Sequence, residues 1–313
     1  MNPLLTIIIP TYNRAHLLGE TLDSVIAQTY PNWECIVVDD GSCDYTEELL
    51  EFYCEKDSRI TFFKRPEHYK PGPNACRNFG FKKSRGKWVK FFDSDDILVP
   101  EALNLHLEKL SENDVIITKV KYIDEKGNKL NFEHRYLPEN NIIEDYFVGR
   151  LTYYTFGPFW NRNFLQKQAS LFDEKIRNFD DWDFNMRMLY KKPRMAYIHE
   201  PLILYRLHED SLSRELIKLN YEEVKSEFYA RKKHLNILKK DLQVDVLSLR
   251  NYDKNRCKAQ LKKALILNHK KKFALYRMLS KRQYELFEMK EFIKTTIGYL
   301  SYSLFGKGER FFR

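Results

Sequence analysis

Cysteine is scarce in this chain and follows no pairing pattern. The five present, Cys35, Cys43, Cys54, Cys76 and Cys257, are odd in number and form no CxxC. They suggest neither a disulfide framework nor a zinc site, and a reducing cytoplasm is the simplest home. Nowhere do about 18 apolar residues run together, so no segment reads as membrane-spanning. The opening MNPLLTIIIPTYN lacks a basic stretch and its apolar run is interrupted by Pro10, which makes it a first strand rather than a signal peptide. Internal repeats and low-complexity tracts are also missing. What remains is an ordinary globular composition, 43% hydrophobic and 15% aromatic, long enough at 313 residues for one large domain or two.

The net charge of +9 hides an asymmetry. Residues 1–214 carry 29 basic and 33 acidic side chains, whereas residues 215–313 carry 24 and 11. An acidic part suits a metal ion and a basic part suits phosphate-rich surfaces, so the two are expected to face different partners.

Three segments run apolar residues straight into polar chemistry: LTIIIPTYN at 5–13, ECIVVDDGS at 34–42 and WVKFFDSDD at 88–96. They read as buried, parallel strands, and ligands in open α/β sheets bind just beyond the carboxyl ends of such strands. Thr11, Asp39, Asp40, Asp93, Asp95 and Asp96 are thereby gathered around one crevice. Helices are expected over Arg14–Thr29, near 45–57, over 74–84, Pro100–Leu110 and Trp182–Tyr190. Further strands are expected at Ile60–Lys64, Asp114–Thr118 and Leu202–Tyr205, with Lys126 and Gly127 turning a hairpin. From about 219 onward the pattern is helical, lysine-rich and free of strands. This predicts an α/β domain over 1–214, with a mostly parallel sheet and helices on both faces, and a basic helical extension over 215–313.

The spacing of Asp93 and Asp95 would point two carboxylates to one side of an extended strand end. Hard cations such as Mg²⁺ or Mn²⁺ accept one or two carboxylates plus substrate phosphates, so this is a candidate metal site. Alone, DSDD reads equally as a turn and a helix cap before Pro100. Company decides the matter: IIIPTYNR at 7–14, VVDDGS at 37–42, ACRNFG at 75–80 and FFDSDD at 91–96 follow in this order.

With FDDWD at 179–183, that series closely resembles the family 2 glycosyltransferases, inverting enzymes of the GT-A fold, over roughly residues 4–214. The resemblance implies a nucleotide-sugar donor, usually a UDP-sugar, and a divalent metal, Mn²⁺ or Mg²⁺. The acceptor implied is a hydroxyl of a glycan or lipid-linked acceptor in polysaccharide or cell-surface glycan synthesis. Pro10, Thr11, Tyr12, Arg14, Asp39, Arg77, Asp93 and Ser94 would line the nucleotide site, with Asp39 accepting the ring N–H of the base. Asp95 would hold the metal against the diphosphate. Asp181 would be the base that deprotonates the acceptor, with Asp180 and Trp182 contacting it. Asp180 stands where the family carries Glu. The segment YRLHEDSLS at 205–213 resembles one that closes over the diphosphate in some members, which makes His208 a metal ligand and Arg206 a phosphate partner.

In the extension, LKKALILNHKKK at 261–272 alternates lysine clusters with apolar residues, and Ile293, Ile297, Leu300 and Leu304 form one helical stripe. Such helices lie on an anionic membrane, or else pack on the catalytic domain or on another copy of the chain. The expected location is therefore cytoplasmic, with a peripheral position on the inner membrane face as one outcome. Nucleic acid ranks last as a partner, since no recognised module accompanies the charge. A nucleotidyltransferase is the competing activity, disfavoured by the lack of a lysine-rich phosphate loop beside the first strand. A non-catalytic assembly or lipid-binding protein is the competing class.

Overall fold

A computed structural model describes residues 2–132, 134–208 and 218–312. It divides into two compact units, residues 1–211 and 212–313.

The first unit is built on an eight-stranded sheet. β1 (Leu5–Thr11) and β2 (Trp33–Asp39) are buried along their full length. Residues buried on both faces demand cover on both faces, which the crossover helices α1 (Ala15–Ile26), α2 (Thr46–Lys56) and α3 (Pro73–Lys83) provide. With β3 (Ile60–Lys64) and β4 (Trp88–Phe91) these strands run parallel, in register from Leu5↔Trp33 to Thr11↔Asp39. The carboxyl ends of β1 and β2 therefore finish side by side. After β4 come β5 (Ile97–Leu98), α4 (Ala102–Leu107), β6 (Val115–Ile123), α5 (Ile142–Phe147), β7 (Pro158–Asn161), α6 (Arg162–Gln166), α7 (Asp180–Leu189) and β8 (Met195–Arg206). The spatial order is β3-β2-β1-β4-β7-β6-β8-β5.

The run of parallel pairs is broken at β7, which pairs antiparallel with both β4 and β6, and resumes between β6 and β8. Its four residues carry little sequence signal, and Pro158 occupies the first position, where a missing N–H is tolerated. β8 is longer than its apolar core Leu202–Tyr205, and its pairing with β6 shifts register around Lys119, opposite Pro201. Proline removes a ladder donor there, and a bulge absorbs the loss. The hairpin turn at Lys126 and Gly127 is formed, with Gly127 at φ 82° and Asp124 accepting from the N–H groups of Lys126 and Asn128.

One buried carboxylate ties three elements together. Glu34 on β2 accepts from the Thr6 hydroxyl at 2.7 Å and from the backbone N–H groups of Arg85 at 2.6 Å and Gly86 at 3.0 Å. Burial pushes its pKa up, but these donors outweigh burial and hold the carboxyl below its ordinary value. Only glycine fits at 86, because a Cβ there would lie 2.4 Å from Thr6 Oγ1 and 2.7 Å from Thr6 N. Gly86→Ala is expected to destabilise the first unit by about 1–3 kcal/mol, the usual cost of overpacking. Urea unfolding checks this, and a midpoint equal to the parent's would contradict it.

The second unit contains α8 (Tyr221–Leu238), α9 (Val246–Ile266), α10 (Lys272–Glu285), α11 (Met289–Phe305) and a short 3₁₀ turn (Glu309–Phe312). Short turns make consecutive helices alternate in direction around a core that includes Phe228, Cys257, Leu261, Leu275 and Leu279. α11 buries Thr295 and Gly298, and Gly298 admits the Cβ of Phe311 and the ring of Phe312. Its apolar stripe is left out: Ile293, Ile297 and Leu300 are about half exposed and Leu304 more so. Among the described residues no helix is long and apolar enough to cross a membrane.

Candidate active site

The loops that leave β1 and β2 are stitched together. Asp39, at the end of β2, accepts from the Ser42 N–H at 3.1 Å and from the Ser42 hydroxyl at 2.5 Å. The Ser42 oxygen in turn accepts from Asn13 N–H, and Asn13 Oδ1 accepts from Cys43 N–H at 2.8 Å. Asn13 adopts φ 51°, a conformation that asparagine tolerates well. Pro10 and Thr11 are buried on β1, Tyr12 is 55% exposed, and Arg14 occupies the N-cap position of α1. Asp40 forms an ion pair with Arg65, whose side chain is almost fully buried. Asn13, Ser42 and Arg65 carried no signal of their own in the sequence, because their role is to hold loops.

Arg77 is the centre of the site. Proline at the first position and glycine before it start α3, and Arg77 projects from its first turns with a side chain only 6% exposed. One terminal nitrogen donates to Asp93 at 2.7 Å, and the other donates to Asp180 at 2.7 Å and to Asn74 Oδ1 at 3.3 Å. Asn74 is itself fixed by the carbonyls of Asp173 and Ile176. A buried cation thus bridges two carboxylates that lie far apart in sequence. Burial still raises the Asp93 carboxyl above its ordinary range, although Arg77 opposes the shift.

The DSDD segment is not a strand end. β4 finishes at Phe91, and residues 93–96 form a turn into β5. The alternation argument for Asp93 and Asp95 requires extended backbone, so it fails here. Asp93 goes to Arg77, while Asp95 Oδ2 lies 2.9 Å from His208 Nε2. Ser94 is buried between them in the chain. Asp96 is fully buried; its Oδ1 accepts from Arg206 N–H at 3.0 Å and its Oδ2 has no partner among the described residues. Burial, and then the charges of Asp95 and Asp93, push its carboxyl well above the ordinary range.

Arg206 is a correction to the sequence reading. Expected on the diphosphate, it is instead 4% exposed, with Nε on the Asp95 carbonyl, one terminal nitrogen on the Glu125 carbonyl and the other on Glu20. Its guanidinium is taken up in fixing the 95–96 turn against the end of β8. His208 follows directly, and residues 209–213 of the expected closing segment lie outside the described residues.

On the other side, α7 begins with Asp180, Asp181 and Asp183 in its first turn, where the helix dipole favours negative charge. The N-cap position is Phe179 at φ 68°, with no side-chain cap. Asp183 is buried and paired with Arg187 at 2.9 Å. Asp181 accepts from Trp182 N–H, and burial, followed by the adjacent charge of Asp180, raises its pKa to about 7. Trp182, expected at the acceptor, is 8% exposed; it donates its indole N–H to the Tyr146 carbonyl at 3.1 Å and packs on Phe147 and Phe179. Its place is behind Asp181. Asn185, one turn further on, donates to the Tyr146 hydroxyl and the Tyr154 carbonyl.

Parallel strands releasing polar loops at one end, an Arg-bridged acid pair, an Asp–His pair and a carboxyl of raised pKa at a helix start make up the candidate site of this α/β unit. The sequence model described as Glycosyl transferase family 2 matches residues 6–176. The chain belongs to that family. It is similar to an uncharacterized glycosyltransferase of Rickettsia bellii, 42% identical over 40% of this chain and 18% of the relative. It also resembles GalNAc(5)-diNAcBac-PP-undecaprenol beta-1,3-glucosyltransferase of Campylobacter jejuni, 29% identical over 67% of each. The chain spans 18% to 28% of the length of three Rickettsia relatives it matches. Among solved structures, S. aureus TarS 1-349 in complex with UDP aligns over 95% of this chain and 91% of its own, with a TM-score of 0.58 at 20% identity. The mannosyltransferase PcManGT of Pyrobaculum calidifontis, in complex with GDP-Man and Mn²⁺, aligns over 98% and 88%, with a TM-score of 0.56 at 15% identity. The fold is GT-A-like, with a helical C-terminal region.

Proposed function

We propose that this chain transfers a hexosyl or N-acetylhexosaminyl group from a UDP-sugar, with inversion, to a hydroxyl of a glycan or lipid-linked acceptor. The observation that carries the reading is the Asp93–Arg77–Asp180 bridge, which sets the raised carboxyl of Asp181 beside the same network as the turn bearing Asp95. Inversion requires a base on the face opposite the leaving group. A carboxyl with a pKa near 7 is well matched to taking a hydroxyl proton at neutral pH. Asp181 is that base. Asp180 Oδ2 is held by Arg77, which leaves Oδ1 for an acceptor hydroxyl, and Trp182 positions the pair from behind. Asp39, with Thr11, Tyr12 and Arg14 around it, takes the nucleoside, since a carboxylate that accepts from Ser42 still has acceptor sites for a ring N–H. The lipid-linked acceptor draws support from the undecaprenol in the name of the Campylobacter relative.

Among the described residues no three His, Cys, Asp or Glu side chains gather to hold a metal alone. Asp95 nevertheless fits a Mn²⁺ or Mg²⁺ ion whose other ligands come from the diphosphate and water, because one carboxylate is an ordinary protein share for either; the imidazole of His208 would add a ligand that suits Mn²⁺ better than the harder Mg²⁺. Bound there, the ion would act as a Lewis acid on the leaving diphosphate.

A panel of UDP-sugars tests the reaction. Release of UDP is expected; no UDP release from the panel, with pyrophosphate released instead when UTP and a sugar 1-phosphate are supplied, would mark a nucleotidyltransferase, and release of neither a non-catalytic protein. Calorimetry tests the ligand assignment separately. Asp95→Ala should weaken UDP binding in Mn²⁺ by about 10- to 100-fold and leave binding in chelator unchanged. UDP affinity indifferent to both chelator and the substitution would remove the metal from the scheme.

A further inference from the structure

The helical unit has a cavity of its own. About 180 Å³ of space opens between the C-terminal part of α8, the N-terminal part of α9 and the C-terminal part of α10. Four basic side chains line it, Lys232, Arg250, Lys281 and Arg282, against two acidic ones, Asp253 and Glu285. Arg282 is held by Asp253 at 2.7 Å. Among the described residues, the side chains of Lys232, Arg250 and Lys281 have no hydrogen bond or ion pair, although Glu285 lines the same space. Three unpaired cations converging on one cavity are a matched site for an anion.

Two independent observations narrow the ligand. Asp253, which lines the cavity, is 3% exposed; one carboxylate oxygen is held by Arg282 and its Oδ1 has no partner among the described residues, so it leaves the cationic character of the wall to Lys232, Arg250 and Lys281. The second observation concerns what surrounds the opening. Because consecutive helices alternate in direction, the end of α8, the start of α9, the end of α10 and the start of α11 lie at one end of this unit. That end carries Ile237, the fully exposed Leu242, Leu247, Tyr284, the 91% exposed Phe287 and Met289. Exposed apolar side chains grouped around a cationic cavity match a bilayer surface, with the apolar residues in the acyl boundary and the cations at the phosphates. A soluble anion would use the cations and leave the apolar rim without purpose.

We infer that this cavity binds the phosphate headgroup of an anionic membrane lipid and that the end of the helical unit bearing Leu242 and Phe287 is the face that enters the membrane. The site is separate from the transfer reaction and stands whether or not a sugar is moved. It places the membrane contact at the helix ends rather than along the stripe of α11.

The full-length chain is tested by sedimentation with vesicles of phosphatidylcholine alone or mixed with phosphatidylglycerol. Binding is expected only to the mixed vesicles, and less at high salt. The pair Arg250→Gln and Lys281→Gln should lower the partition coefficient about 25-fold, since each basic residue at an anionic surface contributes roughly a factor of five. The pair Lys262→Gln and Lys270→Gln, an equal charge loss at the opposite end, should leave it within about twofold of the parent. Leu242→Ser with Phe287→Ser should also weaken binding, with no change of charge. These side chains are exposed or half exposed and unpaired, so melting temperatures serve as the folding check. Equal losses from the two charge pairs would show attraction by net charge alone and overturn the site, as would no loss from the first pair. Glycerol phosphate that raises the melting temperature of the parent but not of the first pair, in a chain that ignores mixed vesicles, would assign the cavity to a soluble phosphate and overturn the lipid.

Discussion

Asp181→Asn should cut sugar transfer by about 10²-fold or more while leaving UDP affinity nearly intact, because it removes proton abstraction in the transition state and little ground-state binding. The pH profile gives the same assignment a second readout. With the carboxyl raised to about 7 by burial and by Asp180, the parent should lose activity as pH falls below about 7, and the residual activity of the variant should lack that limb. Stability moves the other way. A carboxyl whose pKa rises on folding keeps its proton in the folded state between about pH 4 and 7 while the unfolded chain has lost it. The parent is therefore destabilised as pH rises through that window, and the asparagine variant should lose less. Comparable transfer rates in the two proteins would move the base elsewhere, with Asp180 and Asp183 the next candidates.

Much of this arrangement is legible in the sequence because its signals are local. The runs ending at Thr11 and Asp39 are buried strands, and their motifs place the candidate site at the carboxyl ends of β1 and β2. What escapes is whatever depends on distant partners. The inward turn of Arg206 is set by Glu20 on α1 and by the 95–96 turn, neither near it in sequence. The pairing of Arg77 with Asp180 joins residues 103 positions apart, and no periodicity announces it. Asp93 and Asp95 diverge because a turn stands where strand alternation needs extended backbone. β7 hides in four residues, and the first half of β8 is hidden by its polar residues and Pro201.

Arg77→Met should destabilise the first unit by about 3–5 kcal/mol, a large share of the stability of any single domain. The side chain is 6% exposed, its two partners are 28% and 14% exposed, and its removal leaves two carboxylates facing each other without a counter-charge. Protonation relieves that repulsion, so the deficit should shrink as pH falls toward 5. Adding Asp93→Asn to Arg77→Met should recover part of the loss, because the two positions share one interaction. Urea unfolding of the single and double variants measures both terms. A single variant within about 1 kcal/mol of the parent would mean that the bridge contributes to geometry and not to stability.

Asp95 and His208 are separated by 113 residues. During synthesis the parallel strands β1 to β4 and the 93–96 turn emerge well before β8, and at about 5–20 residues per second the interval between the two partners is roughly 6–23 seconds. Throughout it Asp95 has no imidazole beside it and Asp96 has no Arg206 N–H to accept from. The acids at the heart of the site thus spend the nascent chain's early life open to solvent and to any free divalent cation. The ribosome delivers their protein partners last, and the order of translation becomes the order in which this site is assembled.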